Sequence, residues 1–187
     1  MQLLTRTNQG WDFIHVNSID KFPDDGSYLM SGRHTDTIYK ISQNGSIVWR
    51  LGGIGNDFEA DFSFARQHHA RIQSHNSTNT VLSFFDNAKA EPKESPSAKW
   101  SRGLLVSLHT DVEPMTATMI GEYGHPRGPG HFVFGRGSTQ ILDGGNVFSC
   151  WVDGLLQSEH SSDGTLLMEA HAKQGYTCLQ LQHCHSY

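Results

Sequence analysis

The chain has 187 residues, 36% of them hydrophobic and 18% charged, with a formal net charge of −5. That suffices for one domain with its own core, and the acidic balance argues against nucleic acid, whose phosphates favour a basic face. No stretch approaches the ~20 apolar residues of a membrane-spanning helix, and residues 1–6 lack the apolar centre of an export signal, so a cytoplasmic location follows only if Met1 is the native start.

Strand signals dominate. Residues 13–22 alternate loosely and run into a turn at Asp24-Asp25-Gly26, after which 27–31 read as a second strand. Residues 37–41 alternate cleanly, Gln43-Asn44-Gly45 is a strong hairpin turn, and 46–51 close the set at Gly52-Gly53. Four short antiparallel strands in about 40 residues are the signature of one propeller blade. The pattern returns over 67–72, 80–85, 103–108 and 117–123, interrupted by a Pro/Ser/Lys-rich insertion at 89–99 that is expected to be flexible. It returns again over 137–142, 146–151, 154–157 and 165–169. The expected fold is all-β: a β-propeller of about three blades, each of four antiparallel strands, over residues 1–172, with 173–187 an irregular C-terminal tail.

Aligning the innermost strands on Ile19, Ile72 and Ile141 puts His15, His68 and Gly137 in register. Innermost propeller strands converge on a central channel, so imidazoles from consecutive blades are expected to face one cavity. Three blades do not close a ring, and closure is what removes exposed sheet edges. Further blades, or self-association at the open edge, are expected to complete it.

Two imidazoles with the amide of Asn17 and the guanidinium of Arg33 suit transfer of a tetrahedral oxyanion such as a sulfuryl group. A neutral imidazole is a competent nucleophile near neutral pH. A guanidinium meets anionic oxygens with two parallel hydrogen bonds, a second imidazole can move a proton, and an amide N–H can hold an oxygen without titrating. A metal site on the same histidines is disfavoured because no carboxylate lies in register with them. Among the twelve histidines, His34, His69 and His75 read as surface or supporting groups, and His109, His125, His131 and His160 as loop residues. Trp49, Trp151, Tyr39 and Phe148 read as core, and Asp86-Asn87 as a structural turn, with lining of the channel the lesser alternative. Cys150 reads as a buried thiol. Cys178, His183, Cys184 and His185 fit no standard zinc spacing.

The stretches Phe13-Ile14-His15-Val16-Asn17-Ser18-Ile19-Asp20, Tyr28-Leu29-Met30-Ser31-Gly32-Arg33-His34, Thr37-Ile38-Tyr39-Lys40-Ile41 and Ile47-Val48-Trp49-Arg50-Leu51-Gly52-Gly53 resemble the arylsulfotransferase (ASST) family, its fungal branch in particular. Gln67-His68-His69-Ala70-Arg71, Phe85-Asp86-Asn87-Ala88, Ser101-Arg102-Gly103 and Gly137-Ser138-Thr139-Gln140 continue the match, which covers roughly residues 11–170. The resemblance implies a six-bladed propeller, of which these blades are part. It implies transfer of a sulfuryl group from a phenolic sulfate ester to a phenol through a sulfohistidine, with no nucleotide donor and no cofactor. The expected small-molecule partners are thus an aryl sulfate and a phenol. His68 would be the nucleophile. His15 and Asn17 would contact the sulfuryl and bridging oxygens. Arg33, eighteen residues after His15 as in the family pattern, would bind the sulfate oxygens. Family members are commonly exported or membrane-anchored. The chain departs from the pattern where Gln-His-Asp-Ala becomes Gln-His-His-Ala, placing His69 where an acid is usual, and no segment before Trp11 matches the earlier blade that carries a further family histidine. A non-enzymatic or degenerate propeller serving as an interaction module is the alternative reading.

Overall fold

A computed structural model describes residues 12–152 and 155–172. Among these the protein is all-β, with thirteen strands in three sheets and no helix. The first sheet is an antiparallel meander of β1 (Val16–Lys21), β2 (Tyr28–Gly32), β3 (Thr37–Ile41) and β4 (Ile47–Leu51). Its hairpin turn between β3 and β4 uses Gly45 at φ 87°, with Gly45 N donating to Ser42 O. The third is built alike from β10 (Ser138–Ile141), β11 (Val147–Trp151), β12 (Leu156–His160) and β13 (Leu166–His171).

The middle sheet holds the antiparallel set β6 (His68–His75), β7 (Asn79–Asp86), β8 (Arg102–His109) and β9 (Met115–Gly124), plus a strand not foreseen from the sequence, β5 (Phe58–Ala60). β5 pairs parallel to β9 at the outer edge. Three residues are too few for an alternation to be read. What holds the segment is Phe58, buried edge-on against Trp49 with ring centroids 5.5 Å apart.

Burial patterns follow from sheet position. β2 alternates, with Leu29 and Ser31 buried between the more exposed Tyr28 and Met30, as a sheet with one covered face requires. β7 is buried on both sides: Leu82 and Phe84 join the core shared with the first sheet, and Phe85 turns to the core shared with the third. The first of these cores gathers Phe22, Leu29, Ile38, Trp49 and Leu51 against Leu82, Phe84, Leu104, Val106 and Leu108. The second packs Phe85 on Trp151 with Val133 and Leu156. Trp49 and Trp151 are core as expected, whereas Tyr39 and Phe148 are half-buried.

The edge strands β1 and β6 lie side by side and advance together: Ala70 N donates to Ser18 Oγ (3.0 Å) and Ile72 N to Asp20 Oδ2 (3.0 Å). β10 follows on the other side, where His69 Nδ1 donates to Thr139 O (3.0 Å). Gly137, just before β10, has φ 102°, and a Cβ there would lie 2.5 Å from the Phe85 ring. Gly137→Ala should therefore lower stability by roughly 2–4 kcal/mol, combining backbone strain and overpacking; an unchanged denaturation midpoint would contradict this packing.

Several local expectations are corrected. The insertion at 89–99 is pinned rather than loose: Glu94 accepts from Arg66 Nη2 (2.8 Å) and Ala90 N (2.5 Å), Ser97 N donates to Ala88 O (2.9 Å), and Lys89 Nζ lies 4.2 Å from the Phe132 ring centroid. His109 and His160 are strand residues, and His125 is buried against Trp151. Cys150 is buried but is half of a disulfide, not a free thiol. The tail 173–187, with Cys178, His183, Cys184 and His185, lies outside the described residues.

Candidate functional site

The β1–β2 ladder pairs Val16 with Gly32. The next pair outward is His15 with Arg33, whose main-chain N–H donates to His15 O at 3.1 Å. An interval of eighteen residues is thus a hairpin distance that makes the two neighbours. His15 has φ 54°, a left-handed conformation disfavoured for most side chains. Asp12 holds it there: Oδ1 accepts from His15 N at 2.8 Å, and Oδ2 accepts from His15 Nδ1. That hydrogen bond keeps the Asp12 carboxyl below its usual range. His34 packs on His15 with ring centroids 4.6 Å apart and donates from Nδ1 to Asp12 O (2.7 Å).

His68 opens β6 and is buried. Its Nδ1 meets Asn87 Oδ1 at 2.7 Å, and its Nε2 accepts from Arg136 N at 3.2 Å. Burial pushes the imidazole below its ordinary pKa; hydrogen bonds to Asn87 and to the Arg66 main chain oppose this, and positive charge on Arg33 and on His15 adds to the lowering. Arg33, His15 and His68 therefore share one electrostatic neighbourhood.

Arg33 is half-buried and donates from Nη2 to Phe134 O at 3.0 Å. Burial and the neighbouring Arg66 lower its pKa, and Glu94 and Asp36 act in the opposite sense. Asn17 is drawn to the motif that carries His68: its Nδ2 donates to Gln67 O at 2.7 Å, and its Oδ1 is buried without a partner. Gln67 is fully buried and ties the sheets together, its Nε2 lying 3.1 Å from both Ser31 Oγ and Gly32 O and 3.0 Å from Thr37 O. His69 is a strut to β10 rather than part of the His68 environment; burial first, then Arg71, brings its pKa down to about 4. The hydrogen bond to Thr139 O uses its Nδ1 proton.

Two expectations change here. Asp86 is the last residue of β7 and Asn87 follows it without forming the expected turn, touching His68 instead. A carboxylate does lie beside one of the two histidines, since Asp12, His15 and His34 offer ligand atoms all within 4.8 Å of one another. Among the described residues these three exposed groups are the cluster that could hold a metal ion, although both Nδ1 atoms already bond to Asp12. Asp12 and Arg66 were not picked out by sequence reasoning, and Asn87 was named there without its contact to His68. The Asp-Phe-Ile-His spacing was the one available signal, because an aspartate readily turns back onto the main chain a few residues on.

Fold and site together define an all-β protein whose adjacent sheets bring a buried imidazole, an exposed imidazole–carboxylate pair and a half-buried guanidinium into one neighbourhood. Residues 2–173 match the family model described as Arylsulfotransferase (ASST), and the chain belongs to the arylsulfotransferase family. No curated protein matches it.

Proposed function

We propose that this protein carries the nucleophile-bearing part of a sulfuryl-transfer site, moving a sulfuryl group from a phenolic sulfate ester to a phenol through a sulfohistidine. The three sheets are read as consecutive blades of a six-bladed propeller, with further blades or a second copy of the chain covering the open edge. The observation that carries the reading is the buried imidazole of His68, held by Asn87, next to the end of β1 where His15 pairs with Arg33 and Asn17 bonds to Gln67.

In the first half-reaction the Nε2 lone pair of His68 attacks sulfur. The S–O bond to the aryl group breaks, its electron pair passes to the phenolate oxygen, and His15 supplies that oxygen with a proton. The Asp12 carboxylate balances the charged form of His15 that gives up this proton. Arg33 holds the sulfuryl oxygens as charge spreads over them. In the second half a phenol gives its proton to His15, its oxygen attacks sulfur, and the N–S bond breaks with the electron pair returning to His68 Nε2. Asn17 fixes the strand start that bears His15 against Gln67, and its second N–H remains to hold an oxygen.

The test is incubation with a sulfur-labelled aryl sulfate, followed by mapping of the labelled residue. Label on His68, labile in acid and stable in base, is the expected result, and chelators should leave it unchanged. Absence of label would favour the non-enzymatic module. Label lost on chelation and restored by a divalent ion would move the chemistry to Asp12, His15 and His34.

A further inference from the structure

We propose that Asn87 is a positioning residue that holds His68 in a single tautomer, with the proton on Nδ1 and the lone pair on Nε2. The proposal rests on the reading of His68 as nucleophile for its chemical meaning, but its geometry stands apart from that reading.

An asparagine amide can be turned either way, so its partners must decide which end is oxygen. Asn87 Nδ2 lies 2.7 Å from Val133 O and 2.9 Å from Arg136 O. Both partners are carbonyl oxygens, which only accept, so both amide protons point to them. Oδ1 is left facing His68 Nδ1 at 2.7 Å. An amide oxygen only accepts, so Nδ1 must carry the proton. On the far side of the ring, Arg136 N lies 3.2 Å from Nε2. A main-chain N–H only donates, so Nε2 must offer its lone pair. Two independent partners thus require the same tautomer. The alternative would set acceptor against acceptor at Nδ1 and donor against donor at Nε2, both in a buried site where unmet polar groups are costly.

Asn87 is itself fixed. It is fully buried, and its main-chain carbonyl accepts from Ser101 Oγ at 2.8 Å. The preceding Asp86 is clamped by Arg102 Nε (3.0 Å), Ala65 N (3.1 Å) and Ala88 N (2.8 Å). The two histidines of the site therefore have different partners on Nδ1. His15 has a carboxylate, suited to a group that carries a proton and its charge. His68 has a neutral amide, which orients the ring without inviting a second proton, as a nucleophile needs. When Nε2 bonds sulfur, the Arg136 N–H must give up its hydrogen bond there. The N–S bond then uses the lone pair that the N–H now occupies, and the Nδ1 proton stays with Asn87.

Long-range proton–nitrogen correlation spectra of the full chain, labelled with nitrogen-15, read the tautomer directly. The wild-type protein should show His68 Nδ1 protonated and Nε2 unprotonated at neutral pH. Asn87→Leu removes the acceptor and should give a mixture or the opposite tautomer, with the labelling rate at His68 lowered by roughly 10²–10⁴-fold. Asn87→Asp keeps an acceptor but adds charge, so it should preserve the Nδ1 proton and move the acid limb of the pH profile upward by about 1–3 units. That shift reports the added charge; the tautomer is the readout that a purely structural residue would leave unmoved. A proton on Nε2 in the wild-type protein overturns the proposal without any variant needing to fold, as does an Asn87→Leu protein with the wild-type tautomer. The expected tautomer in a wild-type protein that takes no label supports the Asn87 pairing and removes the sulfuryl reading of His68.

Discussion

His68→Ala should abolish covalent sulfation of the protein while leaving aryl sulfate binding in place. The proposed reaction splits one transfer into two, and both halves pass through the Nε2 atom of this residue. No neighbour can substitute. His69 directs its Nδ1 proton to Thr139 O and serves the contact between β6 and β10. His15 points its Nδ1 at Asp12 and is exposed, whereas His68 is buried. The substitution also leaves Asn87 Oδ1 and Arg136 N without their partner, at about 1–3 kcal/mol for each group that water cannot reach. Thermal unfolding must therefore be measured alongside the label. His15→Ala supplies the contrast: it should slow turnover but still accept label at His68, most readily from aryl sulfates whose phenolate leaves without a proton. A folded His68→Ala protein that still becomes sulfated ends the assignment.

The strand pattern was largely legible because each hairpin carries its own local signals. The cleanly alternating 37–41 is β3 as observed, and the strands of the third repeat fall within a few residues of their expected places. β5 was not legible, since its reason is the contact of Phe58 with Trp49 and a parallel edge pairing, neither of which leaves a period in the sequence. The pinned insertion was missed for a similar reason: its composition says loop, and only Glu94 meeting Arg66 across the fold holds it down. The site divides in the same way. The pairing of His15 with Arg33 is written in a hairpin interval that can be counted. Asp12 and Asn87 are polar residues in irregular backbone flanking strands, where the ordinary expectation is a local hydrogen bond. Asp12 makes that bond and also orients His15, while Asn87 reaches three partners from distant parts of the chain. Such roles are set by side-chain direction and burial, which spacing does not encode.

Arg33→Ala should lower the labelling rate of His68 by on the order of 10²–10³-fold, the usual loss when one preorganised donor to a developing anion is removed. The Arg33 main chain pairs with His15 at the end of the β1–β2 ladder, and the charge of its side chain is felt at His68. Its bond to Phe134 O holds one side of the group toward the connection before β10. Arg66 is close enough to lower the Arg33 pKa, yet it cannot replace it. Arg66 Nη2 is paired with Glu94 at 2.8 Å, its Nε faces Asp36 at 3.9 Å, and its main-chain N–H donates to Asp36 Oδ1 at 2.7 Å. Arg33→Lys keeps the charge but gives up the planar pair of donors, so it should recover only part of the rate. If the role is to grip the sulfuryl oxygens more tightly in the transition state than in the bound ester, the loss falls on the rate constant at saturating aryl sulfate. A loss confined to KM would make Arg33 a substrate anchor only, and a wild-type rate in Arg33→Ala would place the anion elsewhere in the fold.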